Sequence, residues 1–298
     1  MKILKVKPRG YCKGVIRAIN IAKETVKQYP NQPIYILGML VHNTYVIEAL
    51  KTYGIITLND KNKSRSELIE MIDHGVVIFT AHGIHPKIKK RALEKGLTVV
   101  DATCPDVLKT QSLVDSYIKQ GYHILYIGKM NHPEASAICD DNEHVTLIQN
   151  EADIKDMEIY DKLLVTNQTT MSMYDINNLF QAIKAKFPNA VFAEEICSAT
   201  RVRQEAIANL HDVDTLIIVG DKASNNSTRL AQIGKEKKIK NVYLIDDVND
   251  LLTIDLQNSK SIAISSGAST PTYLTNQVIS WLEDDKHSLQ SIEIEKIL

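Results

Sequence analysis

The sequence predicts an α/β protein of three units related by a pseudo-threefold axis, each with a mainly parallel sheet, around a central cavity. Three observations lead there. Cys12, Cys104 and Cys197 follow one another at intervals of 92 and 93 residues. Each lies in the same local context: "ILKVKPRGYCKGVIRAI", "TVVDATCPDVLKTQSLV" and "AVFAEEICSATRVRQEAI" all read as an apolar strand, a polar turn with the cysteine, then an amphipathic helix. Further strand-to-turn junctions follow each cysteine at about 25 and about 65 to 70 residues, so the order βαβαβα recurs three times.

The first unit, 1–96, continues from Cys12 to "YILGMLVHNTYV", which carries His42, and to "VIFTAHGIHPKI", which carries His82. The second, 97–189, runs from Cys104 through "ILYIGKMNHPEAS", with His132 and Glu134, to "LLVTNQTTMSMY", with Thr169. The third, 190–282, holds Cys197, then "LIIVGDKASNNSTRL" with Ser224, Asn225 and Asn226, then "IAISSGASTPTYL" with Ser269. "LEKGLT" (93–98) and "KFPNA" (186–190) supply the Gly and Pro punctuation between units, and the charged tail 283–298 carries no motif and reads as peripheral. Parallel α/β sheets bind ligands outside their strand carboxyl ends, so the cysteines and the polar loops are expected to face one cavity.

Bulk properties limit what that cavity serves. With 35 Lys and Arg against 36 Asp and Glu the net charge is −1, which suits neither nucleic-acid binding nor a polybasic membrane anchor. No apolar run has the length of a membrane span, and the basic N-terminus lacks a signal-peptide core, so a soluble cytoplasmic protein is expected. In that reducing compartment four cysteines point to metal or redox use rather than a disulfide framework. Cys139 falls outside the period and reads as a packing residue.

Structural zinc usually takes two ligands from a CxxC hairpin, which this chain lacks. Three thiolates suit an iron-sulfur cube with one iron left without a protein ligand, an electron donor and Lewis acid in one place. A radical S-adenosylmethionine enzyme would group its cysteines in one short loop, which the wide spacing opposes. His42, His82 and His132 as imidazolium donors suit a diphosphate, and "ASNNSTR" (223–229) and "SSGASTP" (265–271) offer backbone N–H and side-chain donors to phosphate oxygens. Glu134 is placed to deliver protons and Thr169 to relay one. Together these describe reductive removal of a hydroxyl from a small phosphorylated substrate. A redox sensor built on the same cluster and an iron-sulfur hydro-lyase stay open at this point.

The motifs "GYCKGVIRAI", "LVHN", "TAHGIHP", "DATCPDV", "NHPE", "NQTTMS", "EICSATRVRQ", "SNNSTRL" and "SGASTPTYL" resemble, in order, those of the 4-hydroxy-3-methylbut-2-enyl diphosphate reductases, the LytB/IspH family. The resemblance implies the last step of the non-mevalonate isoprenoid pathway, giving isopentenyl and dimethylallyl diphosphates. It implies one 4Fe-4S cluster on Cys12, Cys104 and Cys197 with an open apical iron facing the substrate hydroxyl, and a 3Fe-4S form if that iron is lost. It assigns the diphosphate to His42, His82, His132, Ser224, Asn226 and Ser269, with Asn225 beside them. It assigns protons to Glu134 and Thr169, and electrons to ferredoxin or flavodoxin. Asn225 stands where many members carry Ser, Asn167 replaces a Thr, and "ASAIC" after Glu134 lacks a common Gly.

Overall fold

A computed structural model describes residues 1–60, 62–155, 157–284 and 288–298; positions 285–287 of the sequence-predicted tail lie outside the described residues. The chain opens with β1 (Lys2–Lys5), α1 (Lys13–Gln28), β2 (Ile34–Leu37), α2 (Thr44–Thr52), β3 (Ile55–Leu58), α3 (Arg65–Glu70), β4 (Val76–Phe79) and α4 (Pro86–Glu94). It continues through β5 (Thr98–Asp101), α5 (Pro105–Lys119), β6 (His123–Ile127), α6 (Pro133–Cys139), β7 (Val145–Ile148), α7 (Ala152–Lys155), β8 (Leu163–Asn167) and α8 (Met173–Lys186). Next come β9 (Val191–Phe192), α9 (Ser198–Ala208), β10 (Thr215–Val219), α10 (Asn225–Glu236), β11 (Asn241–Ile245), β12 (Ser261–Ser266) and α11 (Thr272–Glu283).

The described strands form three four-stranded sheets, ordered β3-β2-β4-β5, β7-β6-β8-β9 and β11-β10-β12-β1. The pairs β2–β4, β4–β5, β6–β7, β6–β8, β8–β9, β10–β11, β10–β12 and β1–β12 are parallel. All three sheets therefore share one topology, the α/β architecture that the sequence predicts. Sheets and sequence repeat keep the same period but are offset by one strand. β5, which leads to Cys104, pairs with β4; β9, which leads to Cys197, pairs with β8. β1, which leads to Cys12, pairs with β12, matching Lys2 with Ser261 through Lys5 with Ile264. The boundaries 1–96, 97–189 and 190–282 thus cut each sheet before its last strand. The physical reason is that the steps β4-α4-β5 and β8-α8-β9 each set their second strand beside their first, and β1 takes the equivalent place beside β12.

The chain divides into two compact units. One comprises Met1–Lys27, Met39–Thr57 and Ser198–Leu298, the other Gln28–Gly38 and Leu58–Cys197. The first holds the β1, β10, β11 and β12 sheet, with a core of Val6, Ile207, Leu216, Ile218, Leu230 and Ala263. In the second, β6 and β8 show why a parallel sheet is buried on both faces: Leu125, Ile127, Leu163 and Val165 join one cluster while Ile124, Tyr126 and Leu164 join another. A third cluster in that unit packs Leu37, Val77 and Phe79 against Leu68, Ile72 and Ile88. β4, β8 and β10 are buried along their whole length, while the edge strands β1 and β5 are buried at no residue. Among the described residues no helix is long and apolar enough to cross a membrane.

Candidate active site

In each sheet the first and third strands of the topology lie side by side and their connections leave in opposite directions, the switch point at which open α/β sheets bind ligands. The sequence-predicted residues leave the carboxyl ends of these strands: His132 and Glu134 after β6, Thr169 after β8, Ser224 to Asn226 after β10, Ser269 after β12, His42 after β2 and His82 after β4.

In the second compact unit, Pro133 at the first position of α6 places Glu134 in its first turn, and His132 caps the helix. The His132 Nδ1 accepts the Glu134 backbone N–H at 3.2 Å. An Nδ1 that accepts leaves Nε2 as the ring nitrogen of His132 available to donate. Its ring meets that of His82 edge-on, with centroids 5.6 Å apart, so the structure brings these two histidines together.

Glu134 is 1% exposed. Its Oε1 accepts the Thr169 backbone N–H at 2.7 Å and the Tyr126 hydroxyl at 3.4 Å, and its Oε2 pairs with the Thr169 hydroxyl at 3.0 Å. Burial raises its pKa from 4.5 to about 7, against the opposing pull of the Thr169 hydrogen bonds. A carboxyl group so tuned is protonated in part at neutral pH and has a hydroxyl beside it to pass the proton.

Each cysteine directly precedes a helix: Cys12 before α1, Cys104 as the N-cap of α5 and Cys197 before α9. Each also makes the same backbone contact with its sheet neighbour. The Cys12 N–H donates to the Ala268 carbonyl at 3.0 Å, that of Cys104 to Ala81 at 3.0 Å and that of Cys197 to Thr169 at 3.1 Å. Ala268 and Ala81 immediately precede Ser269 and His82, and Thr169 holds Glu134, so every cysteine is pinned to a loop bearing a candidate ligand-binding or proton-handling group. None of the four cysteines is in a disulfide and all are partly exposed. The positive end of a helix dipole beside each of the three sulfurs suits an anionic ligand set. Among the described residues, no three His, Cys, Asp or Glu side chains lie close enough to hold a single metal ion. The Cys139 thiol is instead pushed up to about 12 by burial, which keeps it protonated.

In the first compact unit, the Ser269 hydroxyl donates to the His42 carbonyl at 3.0 Å and lies 3.5 Å from the Ser224 hydroxyl, which caps α10. Asn225 opens that helix. Asn226 follows it, 5% exposed, and among the described residues its Oδ1 and Nδ2 are buried without a hydrogen-bond partner. The Ser227 hydroxyl shares that condition. A buried, unsatisfied amide costs about 1–3 kcal/mol, which a polar ligand recovers. Gly220 and Gly267 are required here, because a Cβ on either would stand 2.4 or 2.1 Å from the Ser227 hydroxyl oxygen.

Sequence reasoning missed several supporting residues. Tyr126 reads as a core aromatic of β6; the signal for its role is that a tyrosine in a buried strand needs a partner for its hydroxyl. Arg65 donates to the Gly83 carbonyl at 2.7 Å and to the Thr80 hydroxyl at 3.1 Å, holding the loop that carries His82 from both sides. Burial lowers its pKa to about 10, which leaves it charged at neutral pH. Asn167, singled out in the sequence only as a replacement for Thr, acts as a brace. Its Nδ2 donates to the Gln168 carbonyl at 3.0 Å and its Oδ1 accepts the Glu195 N–H at 3.0 Å, tying β8 to the segment before Cys197.

Against known families, residues 3–283 match LytB protein. The chain is 51% identical over 290 residues to the 4-hydroxy-3-methylbut-2-enyl diphosphate reductase of Bacillus cytotoxicus, covering 95% of this chain and 90% of that one. Identity to the reductase of the same name from Bacillus cereus is also 51%, over the same shares of the two chains. The solved structure of E-1-hydroxy-2-methyl-but-2-enyl-4-diphosphate reductase from Plasmodium falciparum superposes with a TM-score of 0.88 at 33% identity, covering 96% of this chain and 89% of that one. A second, described as (E)-4-hydroxy-3-methyl-but-2-enyl diphosphate reductase, the terminal enzyme of the non-mevalonate pathway, gives 0.64 at 29% identity, covering 95% and 99%.

Proposed function

The chain belongs to the LytB protein family, and from that premise we infer that it reduces 4-hydroxy-3-methylbut-2-enyl diphosphate to isopentenyl and dimethylallyl diphosphates, the last step of the non-mevalonate isoprenoid pathway. Within a chain half identical to reductases of that name, the observation that carries this reading is the buried Glu134–Thr169 pair, a proton source tuned to neutral pH. Substrate, two electrons and two protons give either product and one water.

The family is one of iron-sulfur enzymes. We propose a 4Fe-4S cluster on Cys12, Cys104 and Cys197 with an apical iron that no protein group holds, and a 3Fe-4S form when that iron is lost. The equivalent placement of the three cysteines, each before a helix and each pinned through its amide, supports this ligand set. When bound, such a cluster supplies electrons and a Lewis-acidic iron for breaking the C–O bond.

The chain's own residues do the rest. His42, His82, His132, Ser224, Asn225, Asn226 and Ser269 hold the diphosphate, whose oxygens accept from the Asn226 Nδ2 that otherwise lacks a partner. His132 donates from Nε2, its Nδ1 being engaged. Glu134 delivers its proton through the Thr169 hydroxyl, and the Tyr126 hydroxyl holds the resulting carboxylate. Electrons arrive singly from a cytoplasmic ferredoxin or flavodoxin.

The test is anaerobic turnover of the substrate with a dithionite-reduced mediator, with products and cluster absorbance followed together. Both five-carbon diphosphates are expected, and their formation must stop when the reductant is withheld. An intact cluster without product would replace the reductase by a sensor, and dehydration without reductant would replace it by a hydro-lyase.

A further inference from the structure

We propose that the exposed face of α1, immediately beyond Cys12, is the docking surface for a small acidic one-electron carrier protein. The inference rests on the reductase reading, which requires electrons from outside the chain. Lys13, Ile16, Arg17, Asn20, Ile21 and Glu24 line a shallow cleft of about 430 Å³ along this helix. Its centre is apolar and open to solvent: Ile16 is 46% exposed, and Ile21 lies beside it.

Charge selects the occupant. Lys13 and Arg17 are the cations that line the cleft, and they belong to a stretch, residues 1–23, with seven Lys and Arg and no Asp or Glu, of which Lys5 is ion-paired to Glu283 at 2.7 Å. The first acid, Glu24, is ion-paired to Lys27 at 2.8 Å, which neutralises the far end of the face. The other two cysteines are flanked differently, Cys104 by Asp101 and Asp106 and Cys197 by Glu194 and Glu195. An apolar centre with two cations on its rim and its single acid ion-paired is an arrangement that steers an acidic partner and then seats it.

Distance also favours electron delivery here. At about 1.5 Å of rise per residue, Ile16 and Arg17 lie only about 6 to 8 Å along the helix axis from Cys12. A carrier seated there gives up one electron and leaves oxidised by one, and two visits supply a turnover.

The experiment uses the cluster-loaded enzyme with reduced ferredoxin or reduced flavodoxin as probe, and reads cluster bleaching by stopped flow without substrate. The second readout is the Kd of the oxidised carrier by calorimetry. Arg17→Glu and Ile16→Ser are each expected to lower the bimolecular reduction rate and weaken Kd at least tenfold, and the wild-type rate should fall steeply with added salt. Arg17→Lys should restore most of both, and turnover driven by methyl viologen radical should be unchanged in every variant. Wild-type behaviour of Arg17→Glu and Ile16→Ser, equal loss in the viologen assay, self-association of the enzyme through this face, or failure of both carriers to reduce the wild type would each overturn the proposal. Absence of product with viologen, while carriers still bleach the cluster in an α1-dependent way, would instead remove the reductase reading and leave the docking face standing.

Discussion

Glu134→Gln isolates the proton from the geometry. The amide is nearly isosteric: its oxygen still accepts the Thr169 N–H now made at 2.7 Å, and its NH2 donates to the Thr169 hydroxyl now at 3.0 Å. Packing around this fully buried position is retained while the transferable proton is lost. Removal of a positioned general acid lowers kcat by about 10²–10⁴. The measurement is anaerobic turnover with reduced mediator, with iron content and KM as controls, and both controls should stay near wild type.

The same residue gives a pH prediction whose sign follows from its raised pKa. Between 4.5 and about 7 the folded state keeps a proton that the unfolded state has released. Stability contributed by Glu134 is therefore present at low pH and falls as pH rises through that window, by about 3 kcal/mol in total. Denaturant titrations of wild type and Glu134→Gln should diverge by that amount from pH about 4.5 to about 8, the variant gaining relative to wild type. Wild-type kcat should fall about tenfold per pH unit above about 7. Turnover of the Gln variant above about a tenth of wild type, with pH profiles of the two proteins superimposed, would refute proton delivery by this carboxyl.

Thr169→Val keeps the backbone N–H to Glu134 and the carbonyl to Cys197 but removes the hydroxyl, so kcat should fall about 10- to 100-fold with iron content unchanged. Asn226→Leu deletes two buried unpartnered atoms; thermal denaturation should show a stability gain of about 1–3 kcal/mol without ligand, while substrate KM rises about tenfold or more. Cys139→Ser should retain its iron, because that thiol is kept protonated by burial, whereas Cys104→Ser should lose it; a colorimetric iron assay decides both.

What was legible in the sequence followed from local signals. Strand, turn and helix can be read around Cys12, Cys104 and Cys197 because apolar runs, a Pro at a first helical turn and amphipathic spacing are all short-range features. The pairing of Glu134 with Thr169 was legible only as two polar residues in neighbouring loops; the two-oxygen contact depends on β6 and β8 lying in register from His123–Leu163 to Ile127–Asn167. Tyr126 stayed hidden because its ring belongs to the core, and only its hydroxyl serves the site. The capping role of His132 Nδ1 also escaped, since it is a hydrogen bond that only the folded turn makes.

The one-strand offset between repeat and sheet has a consequence for the chemistry. Parallel pairing is non-local, so nothing in the cysteine segments says which sheet receives them, yet that choice places each thiol. By joining the preceding sheet, β5 brings the Cys104 amide to the loop of His82, and β9 brings that of Cys197 to Thr169. β1 does the same for Cys12 across more than 250 residues, through Ala268. Had each cysteine strand opened its own repeat's sheet, Cys197 would have lost its amide contact with the residue that holds Glu134. The offset therefore couples each proposed cluster ligand, through one backbone hydrogen bond, to a loop proposed to handle substrate or proton, and it makes residues 2–5 part of the last sheet.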